Sequence, residues 1–237
     1  MIINIYKMEN NKSTGDNSKG IDRRGFLTKS VLSTAGLVAG ATLLSPFADA
    51  QTTIRNNTTM NNKNGQGPFP TKGMAAYSPN GPLKLMDFER RTLGPKDVAI
   101  KLHYCGVCHS DIHTIHEDWG KVQFPQIVGH EFTGEVVEVG SSVRKFIKGA
   151  RVGVGTMVNS CRHCSECQTG HENYCLNGNT QAYGSKDKDG TITQGGYSTF
   201  VVVDEDFVIT IPDAMDLAEA GPLLCAGRFI PRFADGE

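Results

Sequence analysis

The 237-residue sequence lacks any marked excess of charge, since 24 lysines and arginines face 25 aspartates and glutamates. That balance removes the electrostatic argument for a nucleic acid or an anionic membrane surface as partner. Heptads and internal repeats are absent, which argues against a coiled coil or a stacked-repeat architecture. No second apolar span follows the first fifty residues, so no permanent membrane span is expected. Tryptophan occurs once. Glycine, by contrast, is abundant at 27 residues, and hydrophobic residues reach 38%. A real core can form, and the glycines favour tight turns and short strands over a helical bundle.

The first fifty residues have the order of an export signal. Residues 1–20 are polar, Asp22-Arg23-Arg24-Gly25 supplies paired arginines, and an uncharged run extends from Ser30 to Ala48. Ala48-Asp49-Ala50 has the small-x-small form of a cleavage site. The expectation is a twin-arginine-type signal peptide over 1–50 and a periplasmic or otherwise exported product. That route carries folded proteins and suits one that takes up its metal in the cytoplasm. The alternative, a membrane anchor, is disfavoured by the small residues and by Pro46. Residues 51–70 are expected to be a disordered linker, because 51–67 are rich in Asn, Thr and Gly with few apolar side chains.

From Thr71 onward, short strands alternate with turns. Candidate strands are Asp97–Tyr104, Glu135–Gly140, Arg151–Val154, Tyr197–Val203 and Phe207–Ile211. They predict a mainly β fold, a small irregular barrel or sandwich over 71–212. Asp216-Leu217-Ala218-Glu219 resembles a capping pair opening a helix over 213–227, with a break at Gly221-Pro222.

Cysteine spacing carries the most specific signal. Cys161, Cys164, Cys167 and Cys175 follow a C-x2-C-x2-C-x7-C pattern. Four closely spaced thiolates match a tetrahedral zinc site, and four protein ligands leave no open position, so the site is structural. It would brace a loop with few apolar residues to pack. Two disulfides are the alternative, although spacings of two residues make adjacent pairing strained. Spacing alone does not exclude an iron–sulfur cluster. His163 lies inside the cluster and is expected to be a solvated loop histidine.

Three further runs are weak individually: Cys105-Gly106-Val107-Cys108-His109-Ser110-Asp111-Ile112-His113, then Gly129-His130-Glu131, then Pro222-Leu223-Leu224-Cys225-Ala226-Gly227. In order, with Glu117-Asp118-Trp119-Gly120, the four-cysteine loop and Gly195-Gly196-Tyr197-Ser198 between them, they resemble one family. The sequence is similar to the zinc-dependent medium-chain alcohol dehydrogenases, in their cinnamyl-alcohol-dehydrogenase-like aldehyde reductase branch, from about Thr71 to Gly227. The resemblance implies a GroES-like β-barrel catalytic domain and two zinc ions. Cys108, His130 and Cys225 would bind a catalytic zinc, leaving a fourth position for water or the alcohol oxygen. Ser110 would hydrogen-bond the alkoxide, and His113 would pass the proton to solvent. Glu131 and Asp111 would stand behind the ligands, and Trp119 would line the pocket for a small alcohol or aldehyde. Cys105 is expected to be a core thiol. His103, His109, His116 and His171 are not expected to be ligands.

The resemblance also implies NADP, or NAD, as hydride carrier, held by a Rossmann domain that follows the Leu-Leu-Cys-Ala-Gly run. No Gly-rich dinucleotide turn occurs here, and the family's return segment is missing. Residues 228–237 do not resemble the family. One permitted codon choice, read from its third base, gives Ile-Tyr-Ser-Pro-Leu-Arg-Arg-Trp-Gly, close to the family's continuation. The expectation is therefore a frameshift just after Gly227, and a fragment that neither binds NADP nor turns over alcohols alone. One zinc per chain rather than two is expected, because Cys225 would sit at the domain junction. Two other readings are a non-catalytic zinc-binding β-domain and an exported interaction or redox module. A redox module would cycle its thiols without metal. Oligomeric state and physiological substrate are not legible.

Overall fold

The computed structural model describes residues 2–5 and 67–226. The paired arginines, the apolar run, Ala48-Asp49-Ala50, most of the expected linker and the 227–237 tail lie outside the described residues. The architecture is mainly β, as expected. Six strands form the main sheet: β1 (Ile2–Asn4), β4 (Asp97–Gly106), β6 (Phe132–Val139), β7 (Arg151–Val154) and β11 (Val208–Thr210) in that order, with β10 (Phe200–Asp204) also on β4. A second sheet has the order β3 (Lys84–Arg90), β2 (Phe69–Ala76), β5 (Gln126–Ile127), and β8 (Met157–Asn159) pairs with β9 (Thr180–Gln181). All pairings are antiparallel.

The ten-residue β4 organises the barrel. Its Val98, Ala99, Ile100 and Leu102 are buried, and β6 runs along one of its edges from Val139 to Phe132. β-branched residues favour such a pleated surface, and Val201, Val202 and Val203 of β10 supply them against β4. The other edge of β4 is shared. β10 takes Asp97–Lys101, and β1 takes Tyr104–Gly106. Gly134 lets β6 cross β4 closely, since a Cβ there would lie 2.1 Å from the Lys101 carbonyl oxygen.

Two details depart from the sequence expectation. Ile2–Asn4, grouped with the leader, pair with Tyr104–Gly106, and the Ile5 amide donates to the His103 carbonyl at 2.9 Å. Ile5 is fully buried in the main core with Ile100, Leu102 and Phe132. Alternating isoleucines make these few residues a strand despite the polar sequence that follows. The second departure is at the linker boundary. β2 begins at Phe69, within 51–70, because the Phe69 ring stacks on Phe200 at 4.8 Å and its burial draws the chain into the sheet. Replacing Ile5 by alanine is expected to cost about 2–5 kcal/mol, as for other buried isoleucines. Urea denaturation of the full chain measures it; an unchanged midpoint would show that β1 contributes nothing to the folded barrel.

Short helices place the chemistry. Helix α1 (His109–His116) follows β4, and its third residue, Asp111, accepts the Cys108 amide at 3.1 Å. That N-terminal carboxylate satisfies an otherwise unpaired donor. The helix stops at Glu117, which adopts the left-handed conformation. Helix α2 (Ser165–Gln168) lies in the four-cysteine loop. Helix α3 (Leu217–Ala220) is capped by Asp216, whose carboxylate accepts the Ala218 amide at 2.7 Å. After Gly221-Pro222, helix α4 (Leu223–Ala226) carries Cys225. Ile211, Ala220 and Leu224 pack together beneath it, and Leu224 covers Gly153 of β7. No helix among the described residues is long and apolar enough to cross a membrane.

Candidate metal centres

The four clustered cysteines converge. Cys161 precedes α2, Cys164 caps its N-terminus, Cys167 lies within it, and Cys175 follows a 3-10 turn over Glu172–Tyr174. Their sulfurs lie within 4.8 Å of one another, and Cys161 Sγ stands 3.8 Å from Cys167 Sγ. A disulfide needs about 2.05 Å. All seven cysteines are free, so the two-disulfide alternative is not what the structure contains. A tetrahedral ion with metal–sulfur bonds of about 2.3 Å separates its sulfurs by about 3.8 Å. Hydrogen-bond donors surround these sulfurs. The Asn177 side chain and the His163 and Cys164 amides lower the Cys161 thiol to about 5. Amides of Cys167 and Leu176 lower Cys164, while Cys167 is raised to about 11. The donor set therefore suits thiolates, as a cationic metal requires. His163 turns its Nδ1 to the Cys161 carbonyl at 2.6 Å and is exposed, a loop histidine as expected.

The second constellation assembles from distant segments. Cys108 comes from the N-cap of α1, just after β4, His130 from the turn after β5, and Cys225 from α4. Cys108 Sγ lies 3.9 Å from Cys225 Sγ, and His130 Nε2 lies 3.3 Å from Cys225 Sγ. All three ligand atoms fall within 4.8 Å. Cys225, expected at the domain junction, lies beside the other two candidate ligands on α4, which Leu224 anchors against Gly153. The fit extends to charge. Burial raises the Cys108 thiol, but Ser110 and His130 outweigh it, and the net shift is downward. Burial and the neighbouring Cys108 push Cys225 up to about 12. Two thiols beside an imidazole are a donor set that a borderline-soft cation takes by displacing their protons.

Behind the ligands stands Asp111, whose side chain is almost fully buried. Its Oδ1 accepts His130 Nδ1 at 3.1 Å and the Gly129 amide at 3.0 Å. Burial favours its neutral form, but the hydrogen bond and charge of His130 win, and its pKa is lowered. For His130, burial lowers and Asp111 raises, with a net upward shift. The bond to Asp111 leaves Nε2 as the free nitrogen, on the side of the two sulfurs. Gly129 is required here: its φ is +100°, and a Cβ would lie 2.6 Å from the Tyr197 ring. Glu131 is buried, and burial raises its pKa.

Around the triad lies a cavity of about 380 Å³, bordered by Ser110, Thr114, Trp119 and Tyr183 together with His130 and Cys225. Ser110 Oγ is 3.6 Å from Cys108 Sγ. Trp119 is 68% exposed, so it stands at the rim, its ring 4.9 Å from that of His113. His113 does not border the cavity; its Nδ1 pairs with Asp118 at 2.7 Å. A relay from Ser110 to His113 would need a bridging group. Cys105 is a buried core thiol, as expected. Thr114, Tyr183 and Tyr197 were not singled out from sequence as site residues. The Gly195-Gly196 pair before Tyr197 was the available hint of a close backbone approach.

The fold is a GroES-like β-domain with two clusters that could each hold a metal ion, one of four ligands and one of three beside a cavity. Residues 94–213 match the alcohol dehydrogenase GroES-like domain, and the chain belongs to that family. It is 52% identical over 155 residues to a probable cinnamyl alcohol dehydrogenase 3 of Oryza sativa subsp. japonica, covering 65% of this chain and 42% of that one. It is 51% identical over 154 residues to the NADP-dependent alcohol dehydrogenase C 1 of Mycolicibacterium smegmatis, covering 65% and 44%. The solved structure of a CAD from Helicobacter pylori complexed with NADP(H) superposes with a TM-score of 0.65 at 42% identity, over 67% of this chain and 46% of that one. The chain thus spans less than half the length of the curated relatives it matches.

Proposed function

We propose that this domain is the zinc-bearing catalytic part of an NADP-dependent alcohol dehydrogenase or aldehyde reductase. The observation that carries the reading is the convergence of Cys108 Sγ, His130 Nε2 and Cys225 Sγ at the edge of a cavity bordered by Ser110. Three ligands leave one coordination position for substrate, whereas the four cysteines of the other cluster leave none. When bound, a metal at the three-ligand site supplies Lewis acidity towards an alcohol or carbonyl oxygen, and a nicotinamide supplies the redox equivalent.

The chain's own residues do the rest. Asp111 orients His130 through Nδ1, and Ser110 offers a hydroxyl that can accept and donate beside Cys108. Trp119 and Tyr183 give the cavity aromatic walls that suit an aromatic or medium-chain aldehyde. His113, half-buried and within one turn of Ser110 on α1, is the proposed outlet for the proton. Cys161, Cys164, Cys167 and Cys175 brace the loop that follows β8. An exported location is proposed on the paired arginines and Ala48-Asp49-Ala50; cleavage there would also remove β1, so the mature N-terminus decides between a cleaved leader and a β1 that stays in the barrel.

The metal reading is tested by stoichiometry. The purified chain is expected to hold two zinc ions, falling to one when His130 is replaced by alanine. One ion in the parent chain would defeat the three-ligand centre. Dehydrogenase chemistry is tested on this domain joined to a nicotinamide-binding half: NADPH-dependent aldehyde reduction is expected, falling at least about 100-fold in Cys108→Ser.

A further inference from the structure

We propose that Tyr197 is a positioning residue of the three-ligand centre, its hydroxyl completing the coordination of Asp111 so that Asp111 can hold His130 and Cys108 in register. The inference rests on the reading of Cys108, His130 and Cys225 as a metal site. Tyr197 is 3% exposed, and its hydroxyl donates to Asp111 Oδ2 at 2.8 Å. The same Oδ2 accepts the Cys108 amide at 3.1 Å, while Oδ1 accepts the Gly129 amide and His130 Nδ1. An ionised carboxylate offers about four acceptor sites. Here all four are used, three of them by residues that carry or adjoin metal ligands. Tyr197 supplies a close donor from outside the 108–111 and 129–130 segments. Without it, Oδ2 would lose its shortest hydrogen bond, and the carboxylate could rotate away from His130.

The position of Tyr197 is itself tightly built. The amides of Gly195, Gly196 and Tyr197 donate to the carbonyls of Ile127, Gly129 and Val128 at 2.7, 2.8 and 3.0 Å, so this segment runs alongside the turn that presents His130. The half-buried Arg90 donates to the carbonyls of Gln194, Gly195 and Phe200 at 2.7, 3.0 and 2.9 Å and to Ser198 Oγ at 2.9 Å. The tyrosine ring fills the space that Gly129 leaves open. Nothing about the ring needs the hydroxyl for packing, so the oxygen can be removed while the ring stays.

The test is cobalt titration of the full chain and of Tyr197→Phe, read by the absorption bands of each site and by competition with a chelator. The four-cysteine centre serves as internal control. Outer hydrogen bonds of this kind change metal affinity by about 10–100-fold. The expected result is that loss at the three-ligand site, with the four-cysteine bands unchanged. A double-mutant cycle separates positioning from general loosening. In an Asp111→Asn background, Tyr197→Phe is expected to add less than about twofold, because the two residues act through one contact. Equal cobalt affinity in parent and Tyr197→Phe overturns the role of Tyr197 alone, and so does full additivity in the cycle. Failure of the parent to take a second cobalt overturns the three-ligand centre and this role with it.

Discussion

Withdrawing metal from the four-cysteine centre is expected to unfold the loop from Cys161 to Gly178 while the barrel stays folded. Apart from Arg162, which pairs with Asp204 at 2.8 Å and Asp206 at 2.6 Å and lies over the Phe207 ring, the loop has little else to hold it. Its larger apolar side chains, Tyr174 and Leu176, are 69% and 70% exposed, and only Cys167 and Cys175 are buried within it. Its backbone bonds are local, from Gln168 to Cys164, His171 to Glu166 and Gly178 to Cys175. Structural zinc sites in small domains hold apparent binding free energies on the order of 10 kcal/mol near neutral pH. Cys161→Ser should therefore abolish amide protection over 161–178 and leave one zinc per chain, and a strong chelator should abolish the same protection. Protection in β4 and β6 should remain. Protons compete with the metal for the four sulfurs, so loop protection is also expected to fall as pH drops. Hydrogen exchange at pH 7, with and without chelator, decides the matter. Retained loop protection in the metal-free chain would show that packing, not metal, holds the segment.

The two centres were legible from sequence for different reasons. Cys161, Cys164, Cys167 and Cys175 announce themselves because a local site must draw its ligands from one short loop. Cys108, His130 and Cys225 are separated by up to 117 positions, and no spacing rule joins them. Only the resemblance to a family placed them together, and β4, β6 and α4 supply the physical reason. Helix α1 was missed: His109, Ser110, Ile112, Thr114 and Ile115 are poor helix formers, and the Asp111–Cys108 bond and packing sustain it. Tyr197 had been assigned to a strand, where an aromatic residue normally signals core. Its ring does pack in the core, and its hydroxyl does not. β1 escaped notice because strand pairing across some hundred residues leaves no trace in local pattern.

Removal of the Asp97 carboxylate is expected to cost about 3–5 kcal/mol, the loss typical when a buried ion pair loses one partner. Asp97 opens β4, and its side chain is fully buried. It accepts the Gly94 amide at 2.6 Å, Lys188 Nζ at 2.7 Å, and both terminal nitrogens of Arg91, with Nη2 at 3.1 Å. Arg91 also reaches Asp187 at 3.2 Å. Three segments are thereby tied: the end of β3, the start of β4, and the turn over Asp187–Gly190. Burial would raise the Asp97 pKa, but the bonds from Arg91 and Lys188 prevail and it is lowered. A depressed folded value stabilises above the unfolded value of about 4 and loses that stability as pH falls through the folded one. Asp97→Ala should lower the urea midpoint at pH 7. Asp97→Asn should in addition flatten the dependence of stability on pH below about 4. A variant that matches the parent at pH 7 would show that the two cations find water as good a partner. The consequence reaches the site, because the turn that Lys188 anchors leads through Thr193 and Gln194 to Tyr197. Thr193 Oγ1 receives the Ser185 amide at 3.0 Å, and Gln194 Oε1 receives the Ile127 amide at 2.7 Å. Loosening that turn should weaken cobalt binding at the three-ligand centre and spare the four-cysteine one.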